Sequence, residues 1–283
     1  MNSLLLKAYA KINLSLDVIS KREDGYHNLK MIMQQIDIYD KVTLIEEGNT
    51  AQIECNCSKV PTDASNLAYK AWNIMCTKYN IQKGVRVIIE KNIPIAAGLA
   101  GGSSDAAAVL IGLNKLWNLK LTKTELMEIG VLIGADVPYC ICGGTALAQG
   151  IGNEITELKS FKNRLVLIAK PDIDVSTAYV YNNLQLSNVN DHPNIDKIVE
   201  SIEKNDLYTL SKNMGNVLET VTIKKYDIIK TIKEKMINNG SIGSLMSGSG
   251  PTVFGLFDNE EDLENCYCEI KKFIPFVKKT KSI

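Results

Sequence analysis

The chain has 283 residues, 45% hydrophobic and 23% charged, which is material for a core in one large domain or two lobes. Its 32 basic and 32 acidic side chains cancel. That argues against a nucleic-acid binder, whose affinity rests on an excess of positive charge.

No stretch reaches the roughly 18 apolar residues of a membrane span. The short run Leu4-Leu5-Leu6, followed by Lys7 and Lys11, does not read as a signal peptide. Seven cysteines, an odd number in a chain of this length, point to reduced thiols in a cytoplasmic protein. Three Cys-x-Cys pairs occur, Cys55/Cys57, Cys140/Cys142 and Cys266/Cys268. On a strand that spacing puts both thiols on one face, and they read as small buried hydrophobes rather than a metal site.

The first ~60 residues have the alternation of β-structure. Leu4, Leu6, Ala8 and Ala10, then Ile12, Leu14, Leu16 and Val18, recur at period two. The polar run Lys21–Gly25 ends in Asp-Gly, a hairpin signal. Met31 with Met33, and Val42 with Leu44, fit two more strands. Asp63-Ala64-Ser65 offers N-cap side chains for a helix through Leu67, Ala71, Ile74 and Met75. Val85–Glu90 is a strand.

Next comes Pro94-Ile95-Ala96-Ala97-Gly98-Leu99-Ala100-Gly101-Gly102-Ser103-Ser104-Asp105. Ala106, Val109, Leu110, Leu113 and Trp117 follow at helical spacing, so a helix over 103–116 is expected. The order is strand, glycine-rich loop, helix. Gly98, Gly101 and Gly102 allow positive φ and close backbone approach. Ser103 and Ser104 add hydroxyls, and the helix N-terminus attracts anions. This suits a polyphosphate. The segment has no lysine after its glycines and lacks dinucleotide-binding spacing.

Thr122 and Glu125 form a capping-box pattern for a helix to Ile133, with Gly134 as its stop. Residues 164–170 begin a new strand, 175–239 are mostly helical, and strands at 243–247 and 252–257 flank Gly248-Ser249-Gly250. The basic residues Lys271, Lys272, Lys278, Lys279 and Lys281 read as a solvated tail. A soft boundary falls near 158, giving lobes 1–158 and 159–283.

Three further segments carry chemistry. Asp136, in Gly134-Ala135-Asp136-Val137-Pro138, could be a helix N-cap, or a base that accepts the proton of an attacking hydroxyl. Lys11, in Ala10-Lys11-Ile12-Asn13, could be an outward strand residue. It could equally stabilise charge on a transferring phosphoryl group. Asp24-Gly25-Tyr26-His27 could be an ordinary hairpin, or a ring and an imidazole that recognise a heterocycle.

Taken together, these segments resemble the GHMP kinase superfamily over almost the whole chain. Pro94–Ala107 looks like its second motif, and Ser247-Gly248-Ser249-Gly250-Pro251-Thr252 like its third. The resemblance implies an α+β, two-lobed GHMP-kinase fold. Its N-terminal lobe would be β-rich and bind ATP, its C-terminal lobe would be α/β, and the site would lie in the cleft between them. Ala10–Leu14, the Asp-Gly-Tyr-His phrase and Gly134–Pro138 narrow it to a branch acting on an alcohol that carries cytidine diphosphate. Mevalonate or homoserine kinase-like activity is the alternative.

By the resemblance, Asp136 is the catalytic base and Lys11 orients it and neutralises charge. ATP lies along Pro94–Ser104. Asn13, Tyr26, His27 and Thr177 contact the substrate. Tyr181, ahead of Tyr179, stacks on cytosine. Mg2+ accompanies ATP, with Ser104 the nearest candidate ligand. The expected protein is cytoplasmic, a monomer or homodimer, with a small-molecule substrate and no nucleic-acid or membrane partner.

Overall fold

A computed structural model describes residues 2–283. The chain clusters into two compact units that interleave along the sequence. The first runs to Ala10 and adds 38–95 and 100–143; the second comprises 11–37, 96–99 and 144–283. The lobes expected from sequence are consecutive stretches. The compact units divide the two long strands β1 (Ser3–Lys21) and β2 (His27–Glu46).

In the first unit, the later half of β2 pairs antiparallel with β4 (Val85–Glu90), Lys41 opposite Glu90. The short β3 (Ala51–Cys55) joins β4 in parallel. The helices are α1 (Leu67–Tyr79), α2 (Gly101–Leu116), α3 (Lys123–Val131) and α4 (Val137–Cys142). Val42, Leu44, Val87 and Ile89 from the strands share one core with Ala68, Met75, Val109 and Leu110 from the helices. The period of two in β4 turns Val85, Val87 and Ile89 to that core.

In the second unit, the earlier half of β2 pairs antiparallel with β5 (Thr145–Gly150), and β5 pairs with β6 (Glu154–Glu157). A separate antiparallel sheet runs β10 (Phe276–Lys281), β7 (Leu165–Lys170), β9 (Val253–Phe257), β8 (Gly243–Met246). Between β7 and β8 lie α5 (Thr177–Asn183), α6 (Ile195–Lys204), α7 (Leu207–Asn213), α8 (Glu219–Lys225) and α9 (Ile228–Asn238). The last helix, α10 (Glu260–Lys271), precedes β10.

Several expectations change. Met31–Leu44 is one strand, not two: the buried phase shifts from Met31 and Met33 to Ile36, Ile38, Val42 and Leu44 across a stretch, 31–34, that is buried throughout, and no glycine or proline interrupts it. Helix α1 is capped by Asn66, whose Oδ1 accepts from the Ala68 N–H at 2.8 Å. Asp63 closes its own turn on Ser65 instead. The capping box of α3 forms as expected, and the helix ends at Val131, ahead of Gly134. Cys140/Cys142 and Cys266/Cys268 lie on helices, so only Cys55 is in a strand. All seven thiols are free, and no metal-holding cluster of His, Cys, Asp or Glu occurs among the described residues. The basic tail is the end of α10 and the edge strand β10. There Lys279 pairs with Glu264 and Lys281 with Glu260. Exposed lysines on an edge strand also discourage pairing with a further chain.

The inner part of β1 departs from ordinary amphipathic alternation. Ile12, Leu14, Leu16 and Val18 are buried on one face. The polar phase, Lys11, Asn13, Ser15 and Asp17, is also buried, at 4, 1, 0 and 7% exposure. Buried polar groups cost free energy unless they are partnered, so this polar stripe marks a place to look for chemistry.

Candidate active site

Consider first the second unit. Lys11 does not face outward into solvent. Its Nζ donates to Asn13 Oδ1 at 2.7 Å, and its backbone N–H donates to the Leu99 carbonyl at 3.1 Å. Asn13 Nδ2 in turn reaches Met31 Sδ at 3.4 Å.

Gly98 has φ +71°, and a Cβ there would come within 2.1 Å of the Ser247 carbonyl oxygen. The Ser247 hydroxyl donates to the Gly98 carbonyl at 2.9 Å. The first glycine of the loop is therefore clasped by the turn Ser247–Gly250. That turn also borders the lysine, since a Cβ on Gly248 would lie 3.4 Å from Lys11 Nζ.

His27 starts β2, is 8% exposed, and faces Tyr181 with ring centroids 5.2 Å apart and planes tilted by 36°. Burial, with Lys21 nearby, lowers the imidazole pKa. The ring is therefore neutral near pH 7, with one nitrogen donating and one accepting. Of the two tyrosines considered, Tyr181 meets His27, whereas Tyr179 is exposed under the Lys225 ammonium, 3.6 Å from the ring centroid. Thr177 Oγ1 bonds Ser249 Oγ at 2.9 Å, linking α5 to the third glycine motif. Tyr26 is 60% exposed and its backbone N–H is held by Asp24.

In the first unit, α2 begins at Gly101, two residues earlier than expected. Its N-cap is Ala100, at φ +58°, which has no side chain able to cap. The opening amides at 101–103 thus stand where an anion can take them. Positive φ falls on Ala96, Gly98 and Ala100, while Gly101 and Gly102 are helical. The strained positions were thus only partly those marked by glycine.

Ser104 is 2% exposed and its hydroxyl donates to the Tyr9 carbonyl at 2.6 Å, with Cys140 Sγ 3.2 Å away. Its hydroxyl is thus engaged within the protein.

Sequence reasoning missed a buried ion-pair group beneath this helix start. Lys91 Nζ bridges Asp40 and Asp105, the latter at 2.8 Å. Asp40 Oδ1 also accepts the Ile93 N–H at 2.8 Å and binds the N–H of Asn92. A Cβ on Gly101 would come 3.1 Å from Lys91 Nζ, so the ammonium lies against the first turn of α2. Burial raises the Asp105 carboxyl to about 7, against the opposing pull of Lys91. Lys91, directly after β4 and just before the glycine loop, was a visible signal. Asp40, some 50 residues away in sequence, carried none.

Asp136 stands at the N-cap of α4, just before Val137 and Pro138, but its side chain makes no capping bond. Its carboxylate is partly exposed and does not serve the helix.

The chain matches the model of the GHMP kinases N terminal domain over residues 66–144 and that of the GHMP kinases C terminal over 192–275. One match falls on each side of residue 158. A 4-diphosphocytidyl-2-C-methyl-D-erythritol kinase from Clostridium botulinum (strain Alaska E43 / Type E3) is 54% identical over 267 residues, 94% of this chain and 95% of that one. Another from Acetivibrio thermocellus is 51% identical and covers 92% of each chain. A crystal structure of a 4-(cytidine 5'-diphospho)-2C-methyl-D-erythritol kinase superposes with TM-score 0.82 at 28% identity, over 99% of both chains. A homoserine kinase from Cytophaga hutchinsonii reaches 0.80 at 20% identity, covering 100% of this chain and 95% of that one, a likeness of fold alone. No helix among the described residues is long and apolar enough to cross a membrane. With both halves matched in order and relatives above half identity along nearly its whole length, the chain belongs to the GHMP kinases, ATP-dependent small-molecule kinases, and within them to the family of the 4-diphosphocytidyl-2-C-methyl-D-erythritol kinases.

Proposed function

We propose that this kinase transfers the γ-phosphoryl group of ATP to the 2-hydroxyl of 4-diphosphocytidyl-2-C-methyl-D-erythritol, in the methylerythritol phosphate route to isoprenoid precursors. The relatives carry that activity in their names. The observation that carries the reading in the structure is the buried, neutral His27 against Tyr181. A heterocycle edge can hydrogen-bond to such an imidazole while its face stacks on the tyrosine. Mevalonate and homoserine offer neither an aromatic face nor a heterocycle edge, and would leave the pair idle.

In the proposed reaction the Asp136 carboxylate takes the proton of the attacking hydroxyl. The alcohol oxygen bonds to the γ-phosphorus as the bridging oxygen departs with ADP. Lys11, held by Asn13, offsets negative charge as it spreads over the transferring group. The uncapped start of α2 receives phosphate oxygens of ATP. Tyr26 and Thr177 complete the proposed substrate contacts. Magnesium would arrive on the ATP phosphates rather than in a cage built by the protein.

The lobe division at 158, a cytoplasmic location and a monomeric or homodimeric state belong to the same proposal. The test is a phosphorylation assay offering the diphosphocytidyl alcohol, mevalonate and homoserine in parallel. Turnover of the first alone, with a cytidine nucleotide competing, is expected. Faster turnover of either other alcohol would refute the assignment.

A further inference from the structure

Asn216 belongs to none of the motifs, yet it sits behind one of them. It is 6% exposed. Its Nδ2 donates to the Met246 and Gly248 carbonyls, both at 2.8 Å, and its Oδ1 accepts from the Leu218 N–H at 3.0 Å. A side-chain amide has two N–H groups, and both are given to carbonyls of the same turn.

Neighbouring residues reinforce the grip. Thr222, fully buried, places its Oγ1 3.3 Å from the Ser249 carbonyl. Glu219 Oε1 accepts from the Met246 N–H at 2.8 Å. The backbone around Asn216 is itself tied to β1. Leu16 N–H donates to the Gly215 carbonyl at 2.8 Å, and Val217 N–H to the Leu16 carbonyl at 3.0 Å. Leu16 is on the strand that carries Lys11 and Asn13.

The turn needs such a hold. Gly248 and Gly250 sit at φ +57° and +88°, and glycine imposes little torsional preference of its own. A peptide unit is planar and trans, so its carbonyl and its N–H point in opposite directions. Fixing the Gly248 carbonyl therefore directs the Ser249 N–H away from Asn216. It also keeps that carbonyl from swinging to the Lys11 ammonium, which borders Gly248.

We propose that Asn216 is a positioning residue for phosphoryl transfer, setting the Gly248–Ser249 peptide beside Lys11 through the Met246 and Gly248 carbonyls. The inference rests on the kinase reading above. It adds a residue that acts through the third glycine motif.

The test compares Asn216→Ala, Asn216→Asp and Thr222→Val with the wild-type enzyme. Initial rates with ATP and the diphosphocytidyl alcohol are measured beside direct binding of a cytidine nucleotide and a thermal melt. A misplaced peptide at a transfer site costs on the order of 10- to 100-fold in kcat. The Asn216 variants are expected to lose that much. Cytidine-nucleotide binding, which rests on His27 and Tyr181, should stay within about twofold. Thr222→Val, nearly isosteric, should show a smaller loss in the same parameter.

A folded Asn216→Ala enzyme with normal kcat overturns the proposal. So does a parallel loss of nucleotide binding and kcat, since that is the mark of general disorder. Should both Asn216 variants fail to fold, a normal kcat in Thr222→Val overturns it. An inactive wild-type enzyme would instead strike at the kinase reading.

Discussion

Gly98 and Gly102 lie four residues apart, one in the loop and one in the first turn of α2, and the structure gives them opposite reasons to be glycine. At Gly98 the backbone has φ +71°, and an added methyl would come 2.1 Å from the Ser247 carbonyl oxygen. The left-handed conformation costs an L-residue about 1–2 kcal/mol. Overpacking against backbone adds about 1–3 kcal/mol. Gly98→Ala should therefore lose about 2–5 kcal/mol, or roughly 5–15 °C in melting temperature for a chain of this size. Gly102 is in the first turn of α2 with no positive φ, and its Cβ would meet only a Leu67 methyl at 3.8 Å. Alanine is a better helix former than glycine, so Gly102→Ala should gain about 0.5–1 kcal/mol. If ATP phosphates approach that turn, the same methyl should raise the KM for ATP by about tenfold, which corresponds to about 1.4 kcal/mol. The assay is a thermal melt of both variants together with ATP-dependent initial rates. A Gly98→Ala protein as stable as wild type would refute the clasp between Gly98 and Ser247. A Gly102→Ala protein with an unchanged KM for ATP would refute phosphate binding at the start of α2.

Other consequences are equally direct. Asp136→Asn should lower kcat by about 100- to 10,000-fold, the usual worth of a catalytic proton acceptor. A thermal melt run beside the rates separates this loss from any change in folding. Tyr181→Ala should raise the KM for the cytidine-tagged alcohol about 5- to 150-fold, the range of about 1–3 kcal/mol for stacking on a base. Tyr179→Ala, whose ring is paired with Lys225, should leave that KM within about twofold. Lys91→Met should cost about 3–5 kcal/mol of stability, since it strands Asp40 and Asp105 as buried carboxyls without their cation. Asp105 should also tie stability to pH. Its folded pKa, about 7, is above the ordinary 3.8. The folded state therefore holds more protons than the unfolded state between those values, and the Asp105 contribution falls as pH rises from 4 to 7. Asp105→Asn should flatten that part of the stability profile, and a profile parallel to wild type across the window would refute the assignment.

What could be read from the sequence was whatever is local. The period of two in β1, the hairpin at Lys21–Gly25 and the capping box at Thr122 each depend on neighbours within a few residues, and all three stand. The glycine segment announced a strand–loop–helix connection for the same reason. What stayed hidden depends on distant partners. Lys11 reads as an outward residue of an alternating strand, and only the covering of both faces of β1 buries it. The Cys-x-Cys spacing fits a strand or a helix, and tertiary context put two of the three pairs on helices. Asp40 reaches Lys91, and Asn216 reaches Met246, across separations that no local pattern encodes. Tyr181 was preferred to Tyr179 on the resemblance alone, and its ring contact with His27 depends on how α5 lies in the second unit.

The buried charges of the first unit bear on the start of α2. A helix start attracts phosphate through its free amides and dipole. A carboxylate at Asp105, in the second turn of α2, works against that attraction. Two features offset it. Burial favours the neutral acid, and the Lys91 ammonium lies against Gly101 between Asp105 and Asp40. Asp40 also holds the N–H groups of Asn92 and Ile93, so the cation is fixed to the chain that leads into the loop. Lys91 thereby joins β2, the end of β4 and α2 at a single ammonium. Its removal should accordingly disturb the geometry of the glycine loop as well as stability, so Lys91→Met should raise the KM for ATP even below its melting temperature.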